Sequence, residues 1–498
     1  MRVRCIRNSD RRPALGKSLG TLFFALAVMH LVPLWSVHYL PTVDGPSHLY
    51  NSSILLRLLS GEHGRLTDFY QIDWRPNPNW IGHAVMAALL TVLPPLVTEK
   101  LFVSAIILLF LYGAWVFAGE SAYAFLAFPF VYHQSLQFGF YNYSFAVGLY
   151  MLIVSVWWKR RDRPNARTIG WMTALLLLCY FSHPLPLLIA MMSIGMLWLF
   201  TIRERPFRQR VRHLIAFLPA TALMFWYYTT QRAVSKPPQM RHLIDFIARG
   251  QFALTFDQRQ QTFGTAIVVL YGVLAIATLW LDGRRAANAF GAIIAILIIL
   301  YFIAPAAAAG GLGVNDRIAF FVFLVPLAWF SPRLPKAAQT ILVTVLTIAA
   351  MANLVFLVTH YRRADRAISD IVQTFDGAEA GRTFVPLLFD PRPPRSVLGL
   401  MAHSADYAAL DRRLIDLTNY EPEVGYFPIR YRPGIIPLNG AAIATYPQDF
   451  DVAANADRVD YIFTWKWSLP PYTPFEYRLN ERYASVREWS AGRLYRRR

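Results

Sequence analysis

Leu19-Gly-Thr-Leu-Phe-Phe-Ala-Leu-Ala-Val-Met-His-Leu-Val-Pro-Leu-Trp35, followed closely by Asp44-Gly-Pro-Ser-His48, is the stretch that decides the architecture. The first part is an apolar run of the length a bilayer core demands, about 20 residues as a helix. Six cations precede it: Arg2, Arg4, Arg7, Arg11, Arg12 and Lys17. No small-x-small cleavage site follows, so the run reads as an uncleaved first span rather than a signal peptide. Cations before a span stay in the cytoplasm. The chain therefore emerges on the far side near Trp35, and Asp44 sits at the outer membrane surface.

Further apolar blocks fall near 100–118, 121–137, 140–158, 168–182, 185–202, 213–230, 263–281, 288–307, 318–331 and 338–359. Of the 498 residues, 55% are hydrophobic, and the mean hydropathy is +0.34. No soluble core hides that much apolar surface. In lipid each backbone polar group needs a partner inside its own segment, so the blocks read as helices. The intervening loops Lys159-Arg160-Arg161, Arg203 to Arg212, Arg284-Arg285 and Arg333 with Lys336 are basic. About 11 spans place them all inside, which puts N-terminus in and C-terminus out. The odd number is the firmer expectation. Residues 82–97 are apolar but short and end in Pro94-Pro95, so they lie along the membrane or enter it only partly; if they span fully, one of the short neighbours within 119–137 is re-entrant, or the basic loop at 159–163 would face outward.

The net charge of +19 does not indicate nucleic-acid binding. Residues 362–498 hold 19 Lys/Arg against 17 Asp/Glu, leaving most of the excess in the membrane region and its short loops. The two cysteines, Cys5 and Cys179, have no route to one another and no zinc-type spacing. Two parts follow. Residues 1–361 form the membrane domain, with a long external loop at 38–82. Residues 362–498 form a small extracytoplasmic α/β domain, with a helix at 364–376, strands at 384–389 and 459–464, a helix at 403–414, and a terminal hairpin from Tyr483-to-Trp489 and Gly492-to-Tyr495.

Among candidate site residues, Asp44 and His48 stand four apart at the start of an amphipathic stretch, Leu49 to Leu59. That spacing brings two side chains to one helix face. A carboxylate there can act as general base toward a hydroxyl. Asp before Gly-Pro-Ser is also a good helix N-cap, the commoner role for this pattern. Asp68 and Asp73 share the loop and read as the true base, as a second carboxylate or, more commonly for such acids, as solvated loop residues. Arg317, after Asn315-Asp316, suits a phosphate clamp or an ion pair with Asp316. His183 before Pro184, His133 and Asn142 lie at outer span ends. Lys236 and Arg241 lie in the external segment 231–262 and can meet either a donor phosphate or lipid headgroups. His403 and Tyr407, four apart on a predicted helix, suit an acceptor groove or domain packing.

One span, a long external loop opening on an acid, many further spans and an external C-terminal domain resemble the GT-C superfamily of glycosyltransferases. The residues that carry the likeness are His38-Tyr-Leu-Pro-Thr-Val-Asp44-Gly-Pro-Ser-His48, Trp74-Arg-Pro-Asn-Pro-Asn-Trp80, Gly139-Phe-Tyr-Asn142-Tyr, His183-Pro184 and Arg493-Leu-Tyr-Arg. The last three are similar to elements of bacterial proteins of this type. The resemblance implies a polyprenyl-phosphate-linked sugar donor, a glycan, lipid or protein acceptor, and a periplasmic active side on a bacterial inner membrane. It assigns Asp44 as base, with His48 beside it. The paired acids of some branches are missing, so no metal ligands are assigned and divalent-metal dependence is left open. Two rival readings are a lipid-linked glycan transporter or flippase, which would need charges buried mid-span, and a non-catalytic scaffold of an envelope-polysaccharide complex.

Overall fold

The computed structural model describes residues 17–161, 165–201, 212, 214–230, 236–253, 256–284, 288–308, 311–330 and 334–498. The basic N-terminal tail with Cys5, the basic segment 203–211, Arg285 and Arg333 lie outside the described residues. Among the described residues, five helices are long and apolar enough to cross a membrane: Ser18–Trp35, Pro95–Phe117, Pro184–Thr201, Gln260–Leu281 and Lys336–Thr374. Shorter apolar helices run over Trp80–Leu90, Ala166–Ser182 and Ala289–Ile303. Tyr141–Arg160 forms a further long helix, packed against Pro95–Phe117 and Pro184–Thr201. The chain is a helical membrane protein.

Three sequence expectations need correction. The block 121–137 is not a continuous span. It is a nine-residue 3-10 helix, Ala122–Phe130, followed by a short α-turn, Gln134–Gln137. At about 2.0 Å per residue the 3-10 piece covers only roughly 18 Å. Pro129 lies inside it, and every one of its residues is buried. Irregular backbone at membrane depth survives only when protein covers it; here the walls include the Lys336–Thr374 and Pro95–Phe117 helices. The block 318–331 is divided into Val314–Leu324 and Pro326–Trp329, because Pro326 cannot continue the ladder. The apolar stretch 82–97 is broken as well. The helix Trp80–Leu90 stops short, and a new helix starts at Pro95, earlier than the block at 100 suggested. Proline preset for a first helical turn explains that start.

The helix Lys336–Thr374 holds 39 residues, roughly 58 Å at 1.5 Å per residue. It runs unbroken through position 361 and into the C-terminal region. There Phe375, just past its end, packs against Phe384 and Phe463 at 5.4 and 4.9 Å between ring centroids. The C-terminal region is built on a five-stranded sheet. Its strand order is Ile415–Asp416, Thr383–Leu388, Tyr461–Trp465, Gly492–Arg497, Tyr483–Trp489. The first three strands are parallel, and the last two form the antiparallel hairpin expected from sequence. Ser490, at φ +54°, takes the left-handed turn position before Ala491.

The segment 38–82 docks on this C-terminal region. Tyr70–Ile72 pairs antiparallel with Ile429–Tyr431. Asn51 and Asn419 exchange amide hydrogen bonds at 3.0 and 2.7 Å. The Tyr50 hydroxyl donates to Leu414 O at 2.8 Å. At the loop's start, the backbone N–H groups of His38 and Tyr39 donate to the Asp365 carboxylate of the long helix. The stretch 49–59 is helical as its periodicity predicts, within Gly45–Leu59, but both faces are buried as far as Leu55.

Candidate functional site

Asp44 occupies the N-cap position of the helix Gly45–Leu59, with Pro46 in the first turn. Its side chain makes no capping bond. The carboxylate instead accepts a hydrogen bond from Tyr420, and Oδ1 lies 3.7 Å from His403 Nε2. Both partners come from the C-terminal region. Burial is the largest influence on this carboxyl and raises it above the usual carboxylate range, against the pull of His403 and His48.

The segment Gly139–Tyr143 holds the site together. Gly139 sits at φ +81°, and a Cβ there would stand 2.6 Å from the backbone nitrogens of Asp44 and Gly45. Only glycine lets the two strands of chain come this close. Val43 and Asp44 donate to Gln137 O and Phe138 O at 3.0 and 3.1 Å, fixing the approach. The next residue, Phe140, lies beneath Arg317, whose guanidinium carbon is 4.3 Å from the ring centroid. Tyr143 adds a second aromatic face at 5.5 Å. Tyr141 donates to Glu99 at 2.8 Å. Asn142 accepts from Gly82 N at 2.7 Å and donates to Asn79 O at 3.2 Å. It thereby anchors the start of the helix Trp80–Leu90.

Arg317 Nη1 donates to His183 Nε2 at 3.3 Å. Asp316 faces His242 at 3.3 Å, not its neighbour Arg317. Among the described residues the buried Arg317 Nε has no acceptor. The structure thus brings Asp44, Asn142, His183 and Arg317 around one short segment.

His48 goes elsewhere. Its Nδ1 lies 2.7 Å from Glu421 Oε1, and His83 Nε2 lies 2.6 Å from Glu421 Oε2. The imidazole nitrogen beside Asp44 belongs to His403, not to His48. All three residues of the His48–Glu421–His83 group are buried. Burial would raise the Glu421 carboxyl, but the two histidines overcome it and hold it below the usual carboxylate range. Burial opposes charge on His48, and Glu421 outweighs it, holding the ring above the usual histidine range.

Lys236 and Arg241 are exposed at the rim. The backbone of Lys236 bridges to Ala307, which pairs in turn with Leu312 before Arg317. His133 caps the turn Gln134–Gln137 and packs, tilted, against Phe320 with ring centroids 4.3 Å apart. Asp73 is held by Arg75 and Asn77, while Asp68 is exposed. Tyr407 donates to Glu99 Oε2 at 2.7 Å, so the pair His403–Tyr407 reaches into the membrane part from the C-terminal region. A cleft of about 790 Å³ opens beside it, lined by Arg57, Leu93, Pro94, Lys100, Tyr407 and Arg413.

No known family profile and no curated protein matches the sequence. Solved structures do match. The arabinofuranosyltransferase AftD from mycobacteria superimposes with a TM-score of 0.54 at 13% identity, over 97% of this chain and 40% of that one. ArnT from Cupriavidus metallidurans gives a TM-score of 0.52 at 12% identity, over 96% of this chain and 97% of that one. This chain shares the overall fold of these two structures. It spans about two fifths of the length of AftD and nearly all of ArnT.

Sequence reading missed Glu99, His83, Glu421 and Tyr420. Glu99 carried a usable signal. It is an acid one turn inside an apolar helix, where ionisable groups are rarely idle. Glu421 and Tyr420 carried none, because only the docking of the first loop on the C-terminal region brings them to Asp44 and His48.

Proposed function

We propose that this chain is an integral-membrane glycosyltransferase that moves a sugar from a polyprenyl-phosphate donor to a glycan, lipid or protein hydroxyl at the periplasmic face of a bacterial inner membrane. The observation that supports it best is Asp44, whose carboxylate makes no capping bond and whose backbone meets Gly139, with the Arg317 guanidinium over the adjacent Phe140 ring. A base and an anion clamp thus flank one segment. The fold shared with the arabinofuranosyltransferase AftD is consistent with this chemistry.

In this reading the acceptor oxygen attacks the anomeric carbon while Asp44 takes its proton. The bond from that carbon to the phosphate oxygen breaks, and polyprenyl phosphate leaves with its charge balanced by Arg317. Direct displacement inverts the anomeric centre. His183 steadies Arg317, and Asn142 fixes the helix Trp80–Leu90. His48, one turn beyond Asp44, faces Glu421 instead and takes no part in the transfer. Lys236 and Arg241 give the rim a positive charge that attracts the anionic donor. The topology is N-terminus in and C-terminus out with an odd number of spans, and residues 362–498 bind the acceptor. A scaffold would have no use for an uncapped acid; a transporter would want charges deeper than these.

The test is Asp44→Asn in purified protein, assayed with a synthetic polyprenyl-phosphate sugar. Loss of a general base costs about 10²–10⁴-fold in rate. Full transfer by a folded variant would remove Asp44 from the mechanism.

A further inference from the structure

The buried group His48, His83 and Glu421 is not needed for the chemistry just described. Its three residues come from three separate elements: the first-loop helix Gly45–Leu59, the helix Trp80–Leu90, and the short turn Glu421–Val424 of the C-terminal region. Their exposures are 4%, 0% and 0%. The two imidazole planes stand at 82° with centroids 5.3 Å apart, and each presents a different nitrogen to a different oxygen of one carboxylate. One ligating atom from each residue lies within 4.8 Å of the others. Phe427 walls the group from one side, 5.7 Å from His48 and 5.3 Å from His83.

Two imidazoles and a carboxylate are a donor set that zinc takes readily, with bonds of about 2.0–2.2 Å and one further coordination position left over. The present contacts of 2.6 and 2.7 Å would lengthen to roughly 3 Å or more around such an ion, a change within reach of side-chain rotation. Carboxylate plus imidazole disfavours magnesium and calcium, which prefer oxygen alone.

We infer that His48, His83 and Glu421 form a binding site for one zinc-class divalent ion, which clamps the helix beginning at Asp44 to the C-terminal region. The ion joins three elements across a seam otherwise held by hydrogen bonds such as the Asn51–Asn419 exchange. Its role is positional: it fixes the helix whose first turn carries Asp44. The site stands whether or not the chain transfers sugar.

The experiment uses the full chain in detergent, tag removed, stripped with chelator and desalted. Zinc chloride is added, free metal is removed by gel filtration, and zinc per chain is measured by elemental analysis, with thermal unfolding in parallel. One retained equivalent is expected, with a higher unfolding temperature than the stripped protein. His83→Gln and Glu421→Gln should each weaken retention at least tenfold. No zinc retained by the wild-type chain overturns the site, and that measurement needs no variant to fold. Retention undiminished in a monodisperse His83→Gln protein also overturns it, because the metal then sits elsewhere. Neither readout uses transferase activity, so failure here is distinct from failure of the proposed function.

Discussion

At the scale of single residues, Arg317 shows how a side chain is kept available for an anion. An arginine beside an aspartate in sequence would ordinarily pair with it. Here Asp316 is drawn to His242, and the Arg317 guanidinium lies flat on Phe140. Stacking suits the planar guanidinium and not the compact ammonium of lysine. Arg317→Lys is therefore expected to raise the donor KM about tenfold, close to 1.4 kcal/mol, while the unfolding temperature moves little. Steady-state kinetics with the polyprenyl-phosphate donor checks it. An unchanged KM would mean that Arg317 does not touch the phosphate. Asp44 makes a complementary point. Its sequence context reads as a cap, and its position is a cap position, yet its oxygens turn to Tyr420 and His403.

At the scale of elements, Gly139 governs the join between the first loop and the helix Tyr141–Arg160. A methyl group at this position meets the backbone of Asp44 and Gly45, and the φ of +81° disfavours any side chain. Gly139→Ala should displace Asp44 and lower stability by about 1–3 kcal/mol. Activity should fall further than the loss of folded protein explains. Circular-dichroism melts alongside transfer rates separate the two effects; equal losses would show that Gly139 matters only for folding. The long helix Lys336–Thr374 is the other organising element. It ties Asp365 to the start of the first loop and Phe375 to the sheet. Its apolar half was plain from sequence. Its continuation was read as a separate helix at 364–376, because composition changes at the membrane surface while the backbone does not.

At the scale of the whole molecule, the seam between the first loop and the C-terminal region is polar and buried. Asp406 and Asp416 are buried neighbours there, and Thr418 donates to Asp416 from both its backbone N–H and its hydroxyl at 2.7 Å. Burial first, and then the neighbouring acid, raises Asp406 well above the usual carboxylate range; burial also raises Asp416. A carboxyl raised in the folded state binds its proton more tightly there than when unfolded. The stability it gives is complete at acid pH and is lost as pH rises through its folded value. The seam should therefore weaken on going from mildly acidic to alkaline buffer, by at most about 1.4 kcal/mol per pH unit for each proton. Asp406→Asn should flatten that slope and raise the unfolding temperature at alkaline pH. A slope identical to wild type across the same buffers would show that Asp406 does not carry this pH dependence.

Sequence alone determined that this is a helical membrane protein, where most helices lie, and that the C-terminal residues form strands and a hairpin. These follow from periodicity, apolar length and turn residues, which are local. It also supplied Asp44, His183 and Arg317 as candidates, because their places at span ends are local too. Tertiary structure decided which side chains meet. It turned 121–137 from a span into a buried 3-10 segment, since only surrounding protein can cover such backbone. It moved His48 from Asp44 to Glu421 and brought His403 in its place, across a separation of more than three hundred residues. It left Asp44 uncapped, because Tyr420 and His403 arrive only when the two ends of the chain pack together. Contacts between distant segments depend on the summed packing of the whole chain, and no local pattern in the sequence encodes them.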